Sequence, residues 1–282
     1  MPPQAYFVVS AVFHYLGPSF AVLLFARVDV LGVAWLRIAS AAVVFAVWKR
    51  PWHVLRDRDV LAWGVLLAAM NGCFYAAIDR LPLGTVAAIE FVPVVALAAL
   101  GARTPRAVLA LALAVGGAGL LANVRLGGEP FGFALAGANA VLFAGYIVLA
   151  DRVSGEGGLV ALAGAMLVAA VLVTPFAPVG ALGDPVALLA GAGVGLSSSV
   201  IPYVTDQLAL RKLDRATYAL MIALLPATAA VIGFLVLGQT PTVKEAVGVL
   251  LVVAGVAIRG SANRPRRGRL PSRPPRASGA RG

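Results

Sequence analysis

Residues 78–97 read IDRLPLGTVAAIEFVPVVAL. After the Asp79-Arg80 pair and the turn residues Pro82 and Gly84, the run is apolar except for Thr85 and a single carboxylate, Glu90. An ionised carboxyl at the centre of a membrane helix costs roughly 2.5–3.5 kcal/mol on insertion scales. Such a group has to be neutral, paired with a cation, or turned towards a wet cavity. Which of these applies depends on the chain around it.

That chain has 282 residues, of which 61% are hydrophobic and 12% charged, and its mean hydropathy is +0.93. So little polar surface cannot cover a water-soluble globule. Apolar blocks of about 18 to 25 residues alternate with short loops that hold most of the charge, and that length crosses a hydrocarbon core of ~30 Å as a helix. Ten blocks are expected, near 5–26, 30–48, 60–79, 83–100, 106–123, 130–150, 157–177, 186–210, 215–236 and 243–259. They are too continuously apolar for barrel strands, which alternate. The fold class is therefore an all-α polytopic membrane protein with ten transmembrane helices. No basic stretch with a small-residue cleavage site precedes the first block, which reads as a retained helix. The lone Cys73 lies inside the third block as a small packing residue.

Basic residues orient the chain. With a cytoplasmic N-terminus, the inner loops hold Lys49, Arg50, Arg56, Arg58, Arg103, Arg106, Arg152, Arg211, Lys212 and Arg215, and the C-terminal end adds Arg259 and seven more. The outer side holds Arg27, Arg80, Arg125 and Lys244, and Arg37 is left inside the second helix. That bias places both termini in the cytoplasm of a multi-pass cell-membrane protein. Residues 261–282 form a polybasic tail rich in Pro, Arg, Gly and Ser, expected to be disordered. Lying next to a membrane helix, it meets anionic lipid before any nucleic acid, and no nucleic-acid partner is expected.

The chain is also written twice. LGARTPRAVLALALAVGGAGLL in the first half corresponds to LGQTPTVKEAVGVLLVVAGVAI in the second, and VPVVALAAL around Pro93 corresponds to LPATAAVIGFLVL around Pro226. His14 falls in register with Asn139. Repeats of five helices, over 1–123 and 124–260, must enter the membrane from opposite sides. That inverted arrangement is associated with alternating-access carriers. Pro93 and Pro226 are expected to kink the fourth and ninth helices. Gly116, Gly117, Gly119, Gly248 and Gly255 are expected to let the fifth and tenth approach closely.

FYAAIDRLPLGTVAAIEFVPVVALAALGARTPR (74–106) and SVIPYVTDQLALRKLDRATYALMIALLPATAAVIGFLVLGQTPT (199–242), with Leu36-Arg37 in the second helix, carry a family resemblance. Over nearly all of residues 5–260 the chain resembles the drug/metabolite transporter superfamily, in its ten-helix EamA-type branch. Within that branch it is most similar to the threonine/homoserine exporter group. The resemblance implies a secondary transporter exporting small polar metabolites, with amino acids or related amines first. Lipophilic drugs or nucleotide-type metabolites are the alternative cargo.

The polar residues within the helices are the candidate site. Glu90 and Asp206 are not repeat equivalents, since they align with Ala223 and Cys73, so the duplicated scaffold does not account for them. One or both are expected to line the central cavity, binding a substrate ammonium group or exchanging a proton, because desolvation favours a carboxyl's neutral form. The bland alternative is an ion pair with Arg37, whose guanidinium is always charged and needs a partner. His14, Asn71, Tyr75, Asn139, Tyr146, Tyr203 and Gln207 offer further donors, acceptors and aromatic faces, and each could equally bridge helices. Ser197–Ser199 followed by Pro202 predicts an irregular or kinked stretch of the eighth helix, its hydroxyls serving freed backbone groups.

Other functions fit less well. Only His14, His53 and Cys73 are available as soft metal ligands, and no nucleophile elbow, phosphate loop or acidic diphosphate motif occurs. An enzyme is not expected, nor a metal or other cofactor. The partners expected are a small-molecule substrate and membrane lipid, and nothing in the sequence sets an oligomeric state.

Overall fold

A computed structural model describes residues 3–100, 104–125, 129–153, 157–210 and 225–262. The polybasic tail from 263 onward and the segment 211–224 lie outside the described residues. Ten helices account for most of the rest: α1 Pro3–Leu24, α2 Val30–Lys49, α3 Arg58–Ile78, α4 Leu83–Leu100, α5 Pro105–Arg125, α6 Pro130–Val153, α7 Gly158–Val173, α8, α9 Leu225–Leu237 and α10 Val243–Ala262. Helix α8 runs over 185–210 in three parts, Pro185–Gly195, a π-helical turn Leu196–Val200, and Ile201–Leu210.

The short connections carry their own stop and start signals. Asp29, Asp57 and Asp184 accept hydrogen bonds from backbone N–H groups in the first turns of α2, α3 and α8. Helices α5, α6 and α8 open on Pro105, Pro130 and Pro185, where the missing N–H costs nothing. Thr242 and Glu245 close a reciprocal capping box at α10, with the Thr242 N–H donating to Glu245 Oε2 at 2.8 Å and the Glu245 N–H to Thr242 Oγ1 at 3.2 Å.

Large apolar side chains cover the outside of the bundle. Phe20, Leu23, Val43, Val47, Val65, Val108 and Leu235 are all exposed, which in water would be a liability and in lipid is a match. Trp48 and Trp52 are exposed beside Lys49 and Arg50, an interfacial pairing of aromatic and basic groups. The interior is built mainly of Ala, Gly, Val and Leu in three buried clusters.

Packing follows a matched pattern. Helix α3 lies against α6 and α7, as α8 lies against α1 and α2; α4 meets α6 as α9 meets α1; α5 pairs with α10, α2 with α7 and α4 with α9. Glycines set the closest approaches. A Cβ on Gly117 would stand 2.6 Å from the Gly248 carbonyl oxygen, and one on Gly255 equally close to that of Ala110, so α5 and α10 touch backbone to backbone. Gly116, expected in the same seam, faces open space instead.

Candidate functional site

Glu90 is buried on the inner face of α4, 7% exposed. Asn139 of α6, fully buried, donates from Nδ2 to Glu90 Oε1 at 3.1 Å. The Asn139 Oδ1 atom is itself buried and, among the described residues, has no hydrogen-bond partner. From α1, Tyr15 comes close enough to interact electrostatically with Glu90, and its hydroxyl is also buried without a partner. One carboxylate oxygen thus accepts from Asn139.

Arg37 on α2 forms the other half of the cluster and is 6% exposed. Its Nε donates to Ser199 Oγ at 3.0 Å and its Nη2 to the Ser198 carbonyl at 3.1 Å. The local sequence of α8 explains why that carbonyl is available. Pro202, four residues on, has no N–H to give back to Ser198, and the preceding turn widens so that the Ile201 N–H reaches Leu196. The Ser197 hydroxyl folds back onto the Gly193 carbonyl at 2.7 Å, and that of Ser198 onto Val194. Tyr75 of α3 places its ring 5.5 Å from the guanidinium carbon. The Tyr75 hydroxyl faces Arg37 and Ser198.

Helix α1 is loosened at the same depth. Pro18 inside it removes the N–H that would serve the His14 carbonyl, and Ser19 Oγ donates to the Tyr15 carbonyl at 2.9 Å. The two helices touch here, since a Cβ on Gly17 would stand 2.7 Å from the Ser198 amide nitrogen. A proline in one helix and a π turn in the other, packed on each other, leave backbone carbonyls of both without their usual helical donors.

The expected residues divide accordingly. Glu90, Asn139, Arg37, Tyr75 and His14 gather in this cluster; half-buried His14 sets its ring edge to Tyr15 at 5.5 Å and lies within electrostatic reach of Arg37. The direct Arg37–Glu90 ion pair is absent: no Arg37 nitrogen comes within 4.0 Å of a carboxylate among the described residues, and serines hold the guanidinium instead. Asn71 is buried but donates to the Leu67 carbonyl of its own helix at 2.8 Å. Tyr146 stacks on Phe143 and tilts against Trp63, and Tyr203 packs against that same apolar cluster around Trp63. Pro93 lies inside α4 and Pro202 just after the π turn. Pro226 opens the described part of α9, and the side chains of Asp206 and Gln207 lie outside the described residues. Tyr15, which sequence reasoning passed over, is signalled only by its place beside His14.

Two cavities flank the cluster, and neither is lined by Glu90 or Arg37. One, of about 440 Å³, lies between the α3–α4 turn and the α9–α10 connection, against Arg80, Thr85, Gln239 and Glu245. The other, about 490 Å³, is an apolar groove between α1 and α8, lined by Phe20, Leu23, Val186 and Ser197.

The family model for EamA-like transporters matches residues 130–259. The threonine/homoserine exporters RhtA of Salmonella typhimurium (strain LT2) and Escherichia coli (strain K12) are each 32% identical to the chain over 253 residues, covering 84% of this chain and 84% of theirs. The chain belongs to the EamA-like transporter family. It is thus a member of the drug/metabolite transporter superfamily, close to the RhtA group, and a multi-pass membrane transporter with a small-molecule substrate. A crystal structure of a protein 20% identical to it covers 90% of this chain and 96% of its own with a TM-score of 0.60, which shows a shared fold.

Proposed function

We propose that this EamA-family chain is a secondary transporter that exports amino acids or related amines from the cytoplasm, through the Glu90 site, in exchange for protons. The observation that carries the reading is a buried carboxylate that, among the described residues, accepts from Asn139 alone, with two buried polar atoms of the same cluster left without partners there. The names of the RhtA relatives, threonine/homoserine exporters, support the cargo class.

A carboxylate can hold either an ammonium group or a proton, but not both. With the site open to the cytoplasm, ionised Glu90 takes the ammonium group of the cargo. When the site opens outward, an external proton displaces it, and that proton is released inside on return. One proton enters for each molecule exported, and the groups facing Glu90 through the cycle are Tyr15, Asn139 and, further off, Arg37. The repeats 1–123 and 124–260 rock against each other about this centre, and the matched pairing of α3–α6 with α8–α1 and of α3–α7 with α8–α2 supports that motion. Both termini are cytoplasmic, with the basic tail against anionic lipid.

Flux of labelled amino acids and amines in proteoliposomes under an imposed pH gradient tests this, with Glu90→Gln and Asp206→Asn beside the wild type. Gradient-driven flux that disappears in folded Glu90→Gln is the expected result. Undiminished flux in that variant would remove Glu90 from the cycle. A second reading, efflux of lipophilic compounds, draws on the apolar groove between α1 and α8, and it gains if only hydrophobic dyes move.

A further inference from the structure

Two opposite charges are buried in one cluster, and they do not pair with each other. Each is held by neutral groups, Glu90 by Asn139 and Arg37 by Ser199 and the Ser198 carbonyl. Two of the five guanidinium donors are taken by those bonds, and among the described residues the carboxylate accepts from a single side chain. Two buried polar atoms without partners among the described residues accompany them, Tyr15 Oη and Asn139 Oδ1 on the Glu90 side, while the Tyr75 hydroxyl stands beside Arg37 and Ser198. Acceptor capacity is thus gathered at one end and donor capacity at the other. A simple amine would satisfy the first end and leave the second facing nothing.

We propose that Arg37 is the carboxylate anchor of the transport site, so that the protein carries zwitterionic α-amino acids and rejects the matching amines. The inference rests on the export reading above and narrows its cargo class. The α-ammonium group lies against Glu90, Asn139 Oδ1 and Tyr15; the α-carboxylate takes the planar fork of Arg37, with the Tyr75 hydroxyl as a further donor. A site built to hydrogen-bond a charged group discriminates strongly against an analogue lacking it, because its own buried donors are then left unpaired. Arg37 also joins binding to the fold. A carboxylate that draws Nη2 away from Ser198 takes from the π turn of α8 the donor that Pro202 cannot supply.

The test is a comparison of L-threonine with two analogues, its methyl ester and 1-amino-2-propanol, both of which keep the amine and lack the carboxylate. Labelled flux is measured in proteoliposomes for wild type, Arg37→Gln and Arg37→Lys, with thermal unfolding as a check on folding. Wild type is expected to prefer threonine by roughly 100-fold or more. Arg37→Gln should lose that preference, to within about 3-fold, while Arg37→Lys keeps part of it, since a point charge replaces a fork. A guanidinium that only braces α8 would lower flux for all three compounds alike and leave the ratio intact, which overturns the proposal. Equal transport of the analogues by wild type overturns it as well, leaves amine export standing, and needs no variant. Transport of none of the three removes the export reading itself.

Discussion

Asn139→Leu separates a substrate-site asparagine from one that merely bridges α4 and α6. The substitution keeps the branched outline of the amide, with larger methyl groups in place of its oxygen and nitrogen, and removes two things. One is the 3.1 Å hydrogen bond from Nδ2 to Glu90, and the other is the buried, unpartnered Oδ1. A hydrogen bond to a charged group contributes about 1.5–3 kcal/mol, and an unsatisfied buried polar atom costs about 1–3 kcal/mol. In the empty protein the loss and the relief largely offset one another, so stability should change by no more than ~2 kcal/mol. With cargo bound the offset vanishes, because Oδ1 then accepts from the ammonium group. Loss of that contact should weaken substrate binding by roughly 10- to 150-fold, from the same 1.5–3 kcal/mol. Thermal unfolding of the detergent-purified protein and the concentration dependence of threonine flux give the two numbers. A strongly destabilised variant whose half-saturation for threonine is unchanged would refute the reasoning and make Asn139 a structural bridge.

Pro202→Ala returns an N–H to the turn after Ser198 and removes the reason for Arg37 to serve that carbonyl; thermal stability should hold or rise while flux falls, and a variant with full flux would dissociate the π turn from transport. Gly17→Val drives a side chain into Ser197 and Ser198, so α1 must lift from α8 at a cost of about 1–3 kcal/mol, read as a lowered unfolding temperature. Gly116→Ala, facing open space one residue from the tight Gly117 contact, should be neutral or slightly stabilising, whereas Gly117→Ala should destabilise. Thr242→Val breaks the capping box of α10 and should cost about 0.5–2 kcal/mol without changing substrate preference, checked by unfolding beside the flux ratio.

How much of this could be read from the sequence varies with the physics involved. Helix bounds were readable because hydrocarbon thickness and caps are local: Asp29, Asp57 and Asp184 mark where α2, α3 and α8 start. The irregularity of α8 was readable from three serines followed by Pro202, though not that it would take the form of a π turn. Its use by Arg37 was out of reach, because which faces of α2 and α8 meet depends on Gly195 and Gly191 allowing those helices together. The same limit bears on the Arg37–Glu90 ion pair, the alternative reading of the two charges. Charge alone makes the two natural partners, and only the packing of α4 on α6 and of α2 on α8 gives each a neutral partner first. Gly116 failed for a similar reason, since a helix turns by about 100° per residue and only one of two adjacent glycines can face a given neighbour.

The exchange of a proton for an ammonium group at Glu90 is the centre of the mechanism, and proton release on substrate binding tests it most directly. Threonine is added to purified, unbuffered protein with a pH indicator present, over a range of starting pH values. Wild type is expected to release up to about one proton per site as the ammonium group displaces it, and folded Glu90→Gln none. Threonine that binds wild type without releasing a proton at any pH, or a Glu90→Gln variant that releases as many, would contradict the exchange.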